Sequence, residues 1–321
     1  MTPPPRIVQF PGELLIVNRP SSGTLSSLVA PLFVLIWSTG FIGARYGMPY
    51  AEPATFLSLR FGGVLLLMVP AVLALRVPLP PRRQVGHLAV AGALIQGGYL
   101  LGVFIAIRHG MGAGLAALIV GLQPVLTAVL ASLVGERLAP RQWLALALGL
   151  CGVALVVAER LTISGLSRAA VVAEVGALLT ITFGTIYQKR FTPVFDLRIG
   201  SAIQFSAALL VVAPVAVVAE TRDVSWTTEL VGALLWSILA LSLGAVSLLF
   251  LLIRRGAATR VASLMYLTPG VTAIMAWLLF GERISWVMAL GMAVTAGGVA
   301  MMVRPPRRRV EGVPHRVARA A

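Results

Sequence analysis

Long apolar runs separated by short polar turns dominate the chain. Ten such runs, at roughly 28–44, 54–75, 85–107, 113–134, 140–158, 169–188, 198–219, 230–253, 259–280 and 286–303, approach or exceed the ~20 residues needed to cross a hydrocarbon core of about 30 Å. Backbone groups in that core must be satisfied within the segment, so each run is predicted to be a spanning α-helix. The connections are short and hold turn or cap residues such as Pro78-Leu79-Pro80-Pro81, Gly110-Met111-Gly112, Thr192-Pro193 and Gly256. No soluble domain is inserted. Residues 1–27 form an N-terminal segment, 28–158 and 169–303 two five-helix units, and 304–321 a basic tail. The N-terminal segment is polar and Pro-containing, without the apolar core and small-residue cleavage site of a signal peptide, so none is read there.

Composition agrees with lipid as the solvent. Hydrophobic residues make up 58% of the 321 and charged residues 12%, against about 25% charged in soluble domains. The net charge of +15 is uneven along the chain. The N-terminus, the loops after helices two, four, six and eight, and the C-terminus together hold 19 Lys and Arg; the other side holds 6, with Arg60 inside a span. Basic residues accumulate on the cytoplasmic side, so both termini are expected there. This topology accounts for the charge without nucleic acid, and the tail arginines from Arg304 to Arg309 suit anionic lipid headgroups. The single cysteine, Cys151, excludes an intrachain disulfide and a cysteine-based metal cluster.

The chain is doubled. Gly135-Glu136-Arg137 and Gly281-Glu282-Arg283 each close one apolar run and open the next, and Gly152-Val153 and Gly298-Val299 each follow 17 residues after the first glycine. Arg60-Phe61 and Pro70 match Gln204-Phe205 and Pro214 at an offset of 144, Pro124 matches Pro269 at 145, and Glu136 matches Glu282 at 146. The slip near Pro124 implies a loose alignment or a local irregularity. Each half holds five spans, and five is odd. The halves are therefore expected to be inverted, the architecture of alternating-access carriers with a site near the membrane midplane.

Polar side chains deep in lipid are costly and usually face the bundle interior or a cavity. Four pairs recur at matched depth: Ser38 with Thr182, Arg60 with Gln204, Gln96 with Ser242, and Gln123 with Thr268. Tyr99 lies one turn from Gln96, and Trp37 and Tyr266 lie near Ser38 and Thr268. Aromatic rings with a few polar groups suit a small-molecule site, so these eleven residues form the candidate substrate cavity. Helix-to-helix hydrogen bonding is the bland alternative for each Ser and Thr. Arg60 suits a counter-ion for an anionic or zwitterionic substrate, an interior pair with an acid, or snorkelling to headgroups. Glu174, the one acid within a span, is a proton-coupling candidate, although interfacial exposure is expected for it. Pro124 and Pro269 remove a backbone donor and are expected to kink helices four and nine. Gly135, Glu136, Gly281 and Glu282 are candidate hinge or gate elements, or else the glutamates simply sit in the field of the next helix's N-terminus. Small residues in helices five and ten, including Ala145, Gly149, Gly152, Ala293, Gly297 and Gly298, permit close packing, including a homodimer contact.

A membrane enzyme needs a positioned nucleophile and base, or metal ligands. Asp196 and Asp223 are in loops, and His87, His109 and His315 lie at a helix edge, a loop and the tail. No enzyme activity, cofactor or metal is therefore expected. A channel or purely structural role fits the matched midplane pairs less well than a carrier. The strings IWSTGFIGARYG, LSLRFGGVLLL, GLQPVLTAVLASLVGERLAPRQWLALALGLCGVALVV and YLTPGVTAIMAWLLFGERISWVMALGMAVTAGGVAMMV resemble the EamA-type branch of the drug/metabolite transporter superfamily, over residues of roughly 28 to 303. The resemblance implies an all-α integral membrane protein with ten transmembrane helices in two inverted repeats, acting as a secondary transporter in the inner or plasma membrane. Such carriers move amino acids, other small metabolites or toxic compounds, often outward. Metabolite export is the first expectation and multidrug efflux the alternative. Partners would be a small-molecule substrate and lipid.

Overall fold

The computed structural model describes residues 6–10, 13–17, 24–133, 140–163, 166–245, 247–248 and 267–303. Ten helical elements follow one another among these residues. They are α1 (Thr24–Gly47), α2 (Pro53–Ala74), α3 (Arg82–Arg108), α4 in two parts (Ala113–Val120 and Gln123–Leu133), α5 (Pro140–Ile163), α6 (Arg168–Phe191), α7 (Leu197–Ala219), α8 (Thr228–Ala245), α9 (Thr268–Phe280) and α10 (Trp286–Val303). Seven of the described helices are long and apolar enough to cross a membrane, and two shorter apolar ones span Thr268–Phe280 and Trp286–Met301. One departure from an all-α chain lies ahead of them. Strands β1 (Arg6–Phe10) and β2 (Glu13–Val17) pair antiparallel, with Val8 opposite Leu15.

Local chemistry sets the helix ends. Pro53 opens α2, where a missing N–H costs nothing. The side chains of Ser167, Asp196 and Thr227 each accept a backbone N–H at the starts of α6, α7 and α8. Helix α9 closes on Gly281 in the left-handed region, with φ 64°, a conformation that glycine adopts without a Cβ penalty.

Packing follows the duplication. Helix α2 lies against α7 and α8, α3 against α6 and α7, α1 against α8 and α9, α4 against α6 and α9, and α5 against α10. Under the exchange of α1 with α6, α2 with α7 and so on, every one of these pairs maps onto another pair or onto itself. Phe61 and Phe205, equivalent at 144, meet with ring centroids 5.8 Å apart between α2 and α7. Arg76 and Arg222, equivalent at 146, both adopt positive φ, 48° and 65°. The sequence does not announce a second shared feature: both third helices of the repeats contain a π-helical stretch, Ala93–Gly98 in α3 and Ser237–Ala245 in α8.

Helices α5 and α10 pack extensively against each other. Several of their small residues, Gly152, Gly291 and Gly298, are spent on this contact. A methyl group at Gly298 would lie 2.6 Å from the Ala145 carbonyl oxygen, and one at Gly152 would lie 2.6 Å from that of Gly291. The stripe read as a possible dimer contact thus has an intrachain use.

The odd-numbered helices end on one face of the bundle, here termed the distal face, opposite the face where α1 starts and α10 ends, here termed the termini face.

Candidate functional site

A cavity of about 230 Å3 opens between the two repeats. Trp37, Gly40 and Phe41 of α1 and Arg60 of α2 form one side; Ile95, Gln96, Tyr99 and Phe104 of α3 form another. Gln123 of α4, Ile181 and Thr185 of α6, Phe205 of α7, and Leu241 and Ser242 of α8 complete the wall. Trp37, Arg60, Gln96, Tyr99, Gln123 and Ser242 of the sequence-derived set are thus brought together. The π-helical stretches supply two of them, Gln96 and Ser242. An added residue per turn widens a helix locally and re-aims its side chains, and such bulges recur at functional sites.

Arg60 is the electrostatic centre. It is 6% exposed, so its head does not reach the headgroups as snorkelling would require. Its Nε and Nη2 donate to Ser242 Oγ at 3.2 and 3.1 Å, and Ser242 Oγ donates to the Ser237 carbonyl at 2.9 Å. That hydroxyl's one donor and two acceptor sites are then filled, while a guanidinium carries five donors. Neither ion pair among the described residues involves Arg60. A buried cation with spare donors therefore faces an otherwise largely apolar cavity. Gln123 Nε2 donates to Thr185 Oγ1 at 3.0 Å.

Four of the sequence-derived residues lie elsewhere. Ser38 is fully buried, turned from the cavity, with its hydroxyl unpartnered. Thr182 turns its hydroxyl back to the Leu178 carbonyl at 2.6 Å, and Gln204 Nε2 donates to Gln188 Oε1 at 3.2 Å. Thr268, the first residue of α9, is 5% exposed and its hydroxyl has no partner. Depth in the membrane was matched for each pair, but the face around the helix was not. Tyr266, Gly135 and Glu136 lie outside the described residues.

A break interrupts α4 directly before Pro124, where a kink was expected, and residues 249–266 ahead of α9 lie outside those described. Pro124 is the second residue of a fresh helical segment after a turn at Gly121-Leu122, and Pro269 is likewise second in α9. Both prolines therefore sit in a first turn, where no intrahelical N–H is needed. The break in α4 is the irregularity that the one-residue slip implied. Glu174 corrects the expectation of interfacial exposure, since it is fully buried.

The distal face is laced by carboxylates that cross between repeats. Glu220, at the end of α7, accepts from Ala54 N, Thr55 N and Thr55 Oγ1, each at 2.7 Å, at the positive N-terminus of α2. Reciprocally, Glu52 accepts from Thr221 N at 2.7 Å, Thr221 Oγ1 at 2.8 Å and Arg222 N at 3.1 Å. The Thr221 hydroxyl, with the amides of Thr221 and Arg222, holds the Glu52 carboxyl below its ordinary value of 4.5. Glu282 Oε1 accepts from Ala113 N at 3.2 Å and lies 3.8 Å from Arg45 Nε. Its helix terminus is thus that of α4, not the following α10. The left-handed Gly281 turns the chain out of α9 immediately before it. Glu52 and Glu220 were not singled out in the sequence, although an acid beside Pro53 is a legible helix-start signal.

The model of the EamA-like transporter family matches residues 24–158 and, a second time, residues 168–304. The uncharacterized inner membrane transporter YedA of Escherichia coli strain K12 is 28% identical over 279 residues, covering 85% of this chain and 90% of the relative. A protein of the same strain named "Probable amino-acid metabolite efflux pump" is 26% identical over 288 residues, 86% of this chain and 94% of the relative. The uncharacterized transporter YvbV of Bacillus subtilis strain 168 is 24% identical over 286 residues, 87% and 92% of the two chains. A solved crystal structure at 20% identity superposes with TM-score 0.59 over 88% of this chain and 98% of the other, and so shares the fold.

Proposed function

We propose, from the premise that this chain belongs to the EamA-like transporter family and is a multi-pass protein of the cell membrane, that it exports small metabolites of the amino-acid class by alternating access. Its ten helices would span the membrane as two inverted five-helix repeats with cytoplasmic termini, in keeping with the basic residues of the termini side. The two repeats would rock about the cavity between them.

One observation carries the choice of cargo. Arg60 is buried, retains unused donors and has no carboxylate partner among the described residues, so the cavity lacks an anion. A substrate carboxylate would supply it, with the fork geometry that guanidinium groups favour. Gln96, Gln123 and Tyr99 offer neutral donors and acceptors for an ammonium group, and Trp37 with Phe205 offers apolar wall. The same charge opposes organic cations, which weighs against multidrug efflux. Relatives named as amino-acid metabolite efflux pumps support the reading.

Counterflow in proteoliposomes with labelled amino acids, nucleosides, sugars and organic cations tests it. Amino acids are expected to exchange in the wild type and to lose exchange in Arg60→Gln. Flux of organic cations alone, or amino-acid exchange indifferent to Arg60, would reject this cargo, and no flux for any class would reject the carrier.

A further inference from the structure

The two repeats also meet away from the substrate cavity. Between α1 and α8, on the distal half of the bundle, lies a groove of about 310 Å3. Gly43 and Tyr46 of α1 form one wall, Gly232, Ala233 and Trp236 of α8 the other, and Glu229 stands at the distal end. From Glu229, in the first turn of α8, the groove runs to Trp236, about 10 Å along the helix axis. There Trp236 Nε1 donates to Thr39 Oγ1 of α1 at 2.7 Å, which closes the inner end. Trp236 is 46% exposed, and Gly232 and Leu235 are exposed as well, so the groove is open on the side that faces lipid around the bundle.

The equivalent place in the other half is filled by the chain itself. At the offsets of 144 and 146, Gly43 corresponds to Tyr187 and Ala233 to His87. There, between α3 and α6 on the termini face, His87 Nδ1 and the Tyr187 hydroxyl are bonded at 2.8 Å, and the His87 ring stacks on Phe191 with centroids 4.7 Å apart. The equivalent of Phe191 is Gly47, and Phe56 covers it: the Phe56 ring would lie 2.5 Å from a methyl group at that glycine. The space at Gly43 and Ala233 is what stays unfilled on the distal side. A void forfeits the dispersion contacts of its lining, so in a bilayer an acyl chain is drawn into it.

The acid at the mouth selects the headgroup. Glu229 is exposed, and its carboxylate takes part in no ion pair or hydrogen bond among the described residues. Arg45, next to Tyr46, is turned instead to Glu282 and the Phe280 ring. A primary ammonium brings both charge and N–H donors to a carboxylate, whereas an anionic headgroup is repelled by it. We infer that the groove between α1 and α8 binds a phospholipid with a primary ammonium headgroup. One acyl chain lies along Gly43, Gly232 and Ala233 as far as Trp236, and the ammonium pairs with Glu229. The lipid stands in for the side chains that join α3 to α6 in the other half.

Trp236 reports the site when it is the one tryptophan left of six, the others being replaced by phenylalanine. The protein is placed in bilayers of equal phosphatidylethanolamine and phosphatidylglycerol with matched chains, one or the other brominated on its acyl chains at the depth of Trp236, since bromine quenches an adjacent indole. Brominated phosphatidylethanolamine is expected to quench with a relative binding constant about threefold that of phosphatidylglycerol, mid-range for an exposed ion pair. Glu229→Gln brings the ratio to about one, and Glu229→Lys reverses it. Gly232→Leu, at a position where a Cβ meets nothing within 4 Å, occupies the groove and also brings the ratio to about one. Equal quenching before these changes, or a preference that survives Glu229→Gln or Gly232→Leu, overturns the inference. Quenching by neither lipid overturns it too, and a dimer in the bilayer then identifies a second copy as the occupant. The measurement needs no transport, so it stands or falls apart from the choice of cargo.

Discussion

Replacing Glu220 by glutamine perturbs the strongest set of bonds that crosses the distal face. The carboxylate accepts three hydrogen bonds of 2.7 Å from the first turn of α2, two of them from backbone amides. Hydrogen bonds to charged groups contribute about 1.5–3 kcal/mol each, and an anion at a helix N-terminus about 0.3–2 kcal/mol more. Glutamine keeps one oxygen and turns an NH2 group toward the remaining donors, so at least one charged bond and the dipole attraction go. A loss of about 2 kcal/mol is a low-end figure. At about 1.4 kcal/mol per tenfold, it moves the closed-to-open ratio of that face about 30-fold. The assay is labelling of Leu100→Cys, in the cavity wall, by an impermeant maleimide in a Cys151→Ala background, with sealed vesicles of each orientation. Labelling from the distal face is expected to rise by that order while labelling from the termini face falls. Unchanged distal labelling in Glu220→Gln refutes the reasoning. A rise from both faces together refutes it too, because it reports general loosening.

Further outcomes follow from single contacts. Ser242→Ala removes the acceptor of both Arg60 bonds and is expected to cost about 1.5–3 kcal/mol, read as a lower thermal midpoint in detergent. Glu52 has a lowered pKa in the closed arrangement, so it favours that arrangement above the ordinary value of 4.5 and ceases to as pH falls through the lowered one. Distal labelling of the Leu100→Cys reporter should therefore increase on acidification below about pH 4.5, and less so in Glu52→Gln. Two neighbouring glycines of α10 should respond in opposite ways. Gly298→Ala puts a methyl 2.6 Å from the Ala145 carbonyl and is expected to destabilise by about 1–3 kcal/mol. Gly297→Ala meets nothing within 4 Å and should be neutral or stabilising by about 0.5–1 kcal/mol, a contrast that unfolding midpoints can resolve.

The apolar runs were legible because lipid leaves the backbone few options, and the two-repeat plan was legible in the paired Gly-Glu-Arg triplets. Residues such as Gln96 and Gln123 stood out because a large amide is costly in hydrocarbon. Azimuth was the missing coordinate. Ser38 and Thr182 share a depth with the cavity, yet each occupies another side of its helix. The π-helical stretches shift azimuth further, since one extra residue turns everything beyond it by about 100° relative to a 3.6-residue helix, and a bulge has no local sequence signature. The bonds of Glu52 and Glu220 span 165 to 170 positions of sequence, so only their helix-end placement was readable, not their partners. The paired strands β1 and β2 carry a local sequence signal: two runs rich in β-formers, Arg6–Phe10 and Glu13–Val17, are separated in sequence by Pro11-Gly12.

Homologous repeats need not be in identical states, and a pair of equivalent acids records the difference. Tyr50 and Val194, equivalent at 144, each accept a bond from the start of the other repeat's third helix or the residues before it, at 2.9 Å from Ser225 N and Gln84 Nε2. That contact is common to both faces. Glu52 and Asp196 are also equivalent at 144, and each precedes the second helix of its repeat. Glu52 reaches across to Thr221 and Arg222 of the other repeat. Asp196 instead turns back onto its own helix, accepting from Arg198 N at 2.9 Å and Arg198 Nη2 at 2.7 Å. The corresponding end of α2, Ala74-Leu75-Arg76, has no carboxylate to offer. Among the described residues, Glu52 and Glu220 thus bridge the two repeats on the distal face, while Asp196 on the opposite face bonds within its own helix. Bonds of this kind can be broken by water and protons, which is what the Glu220 and Glu52 substitutions test.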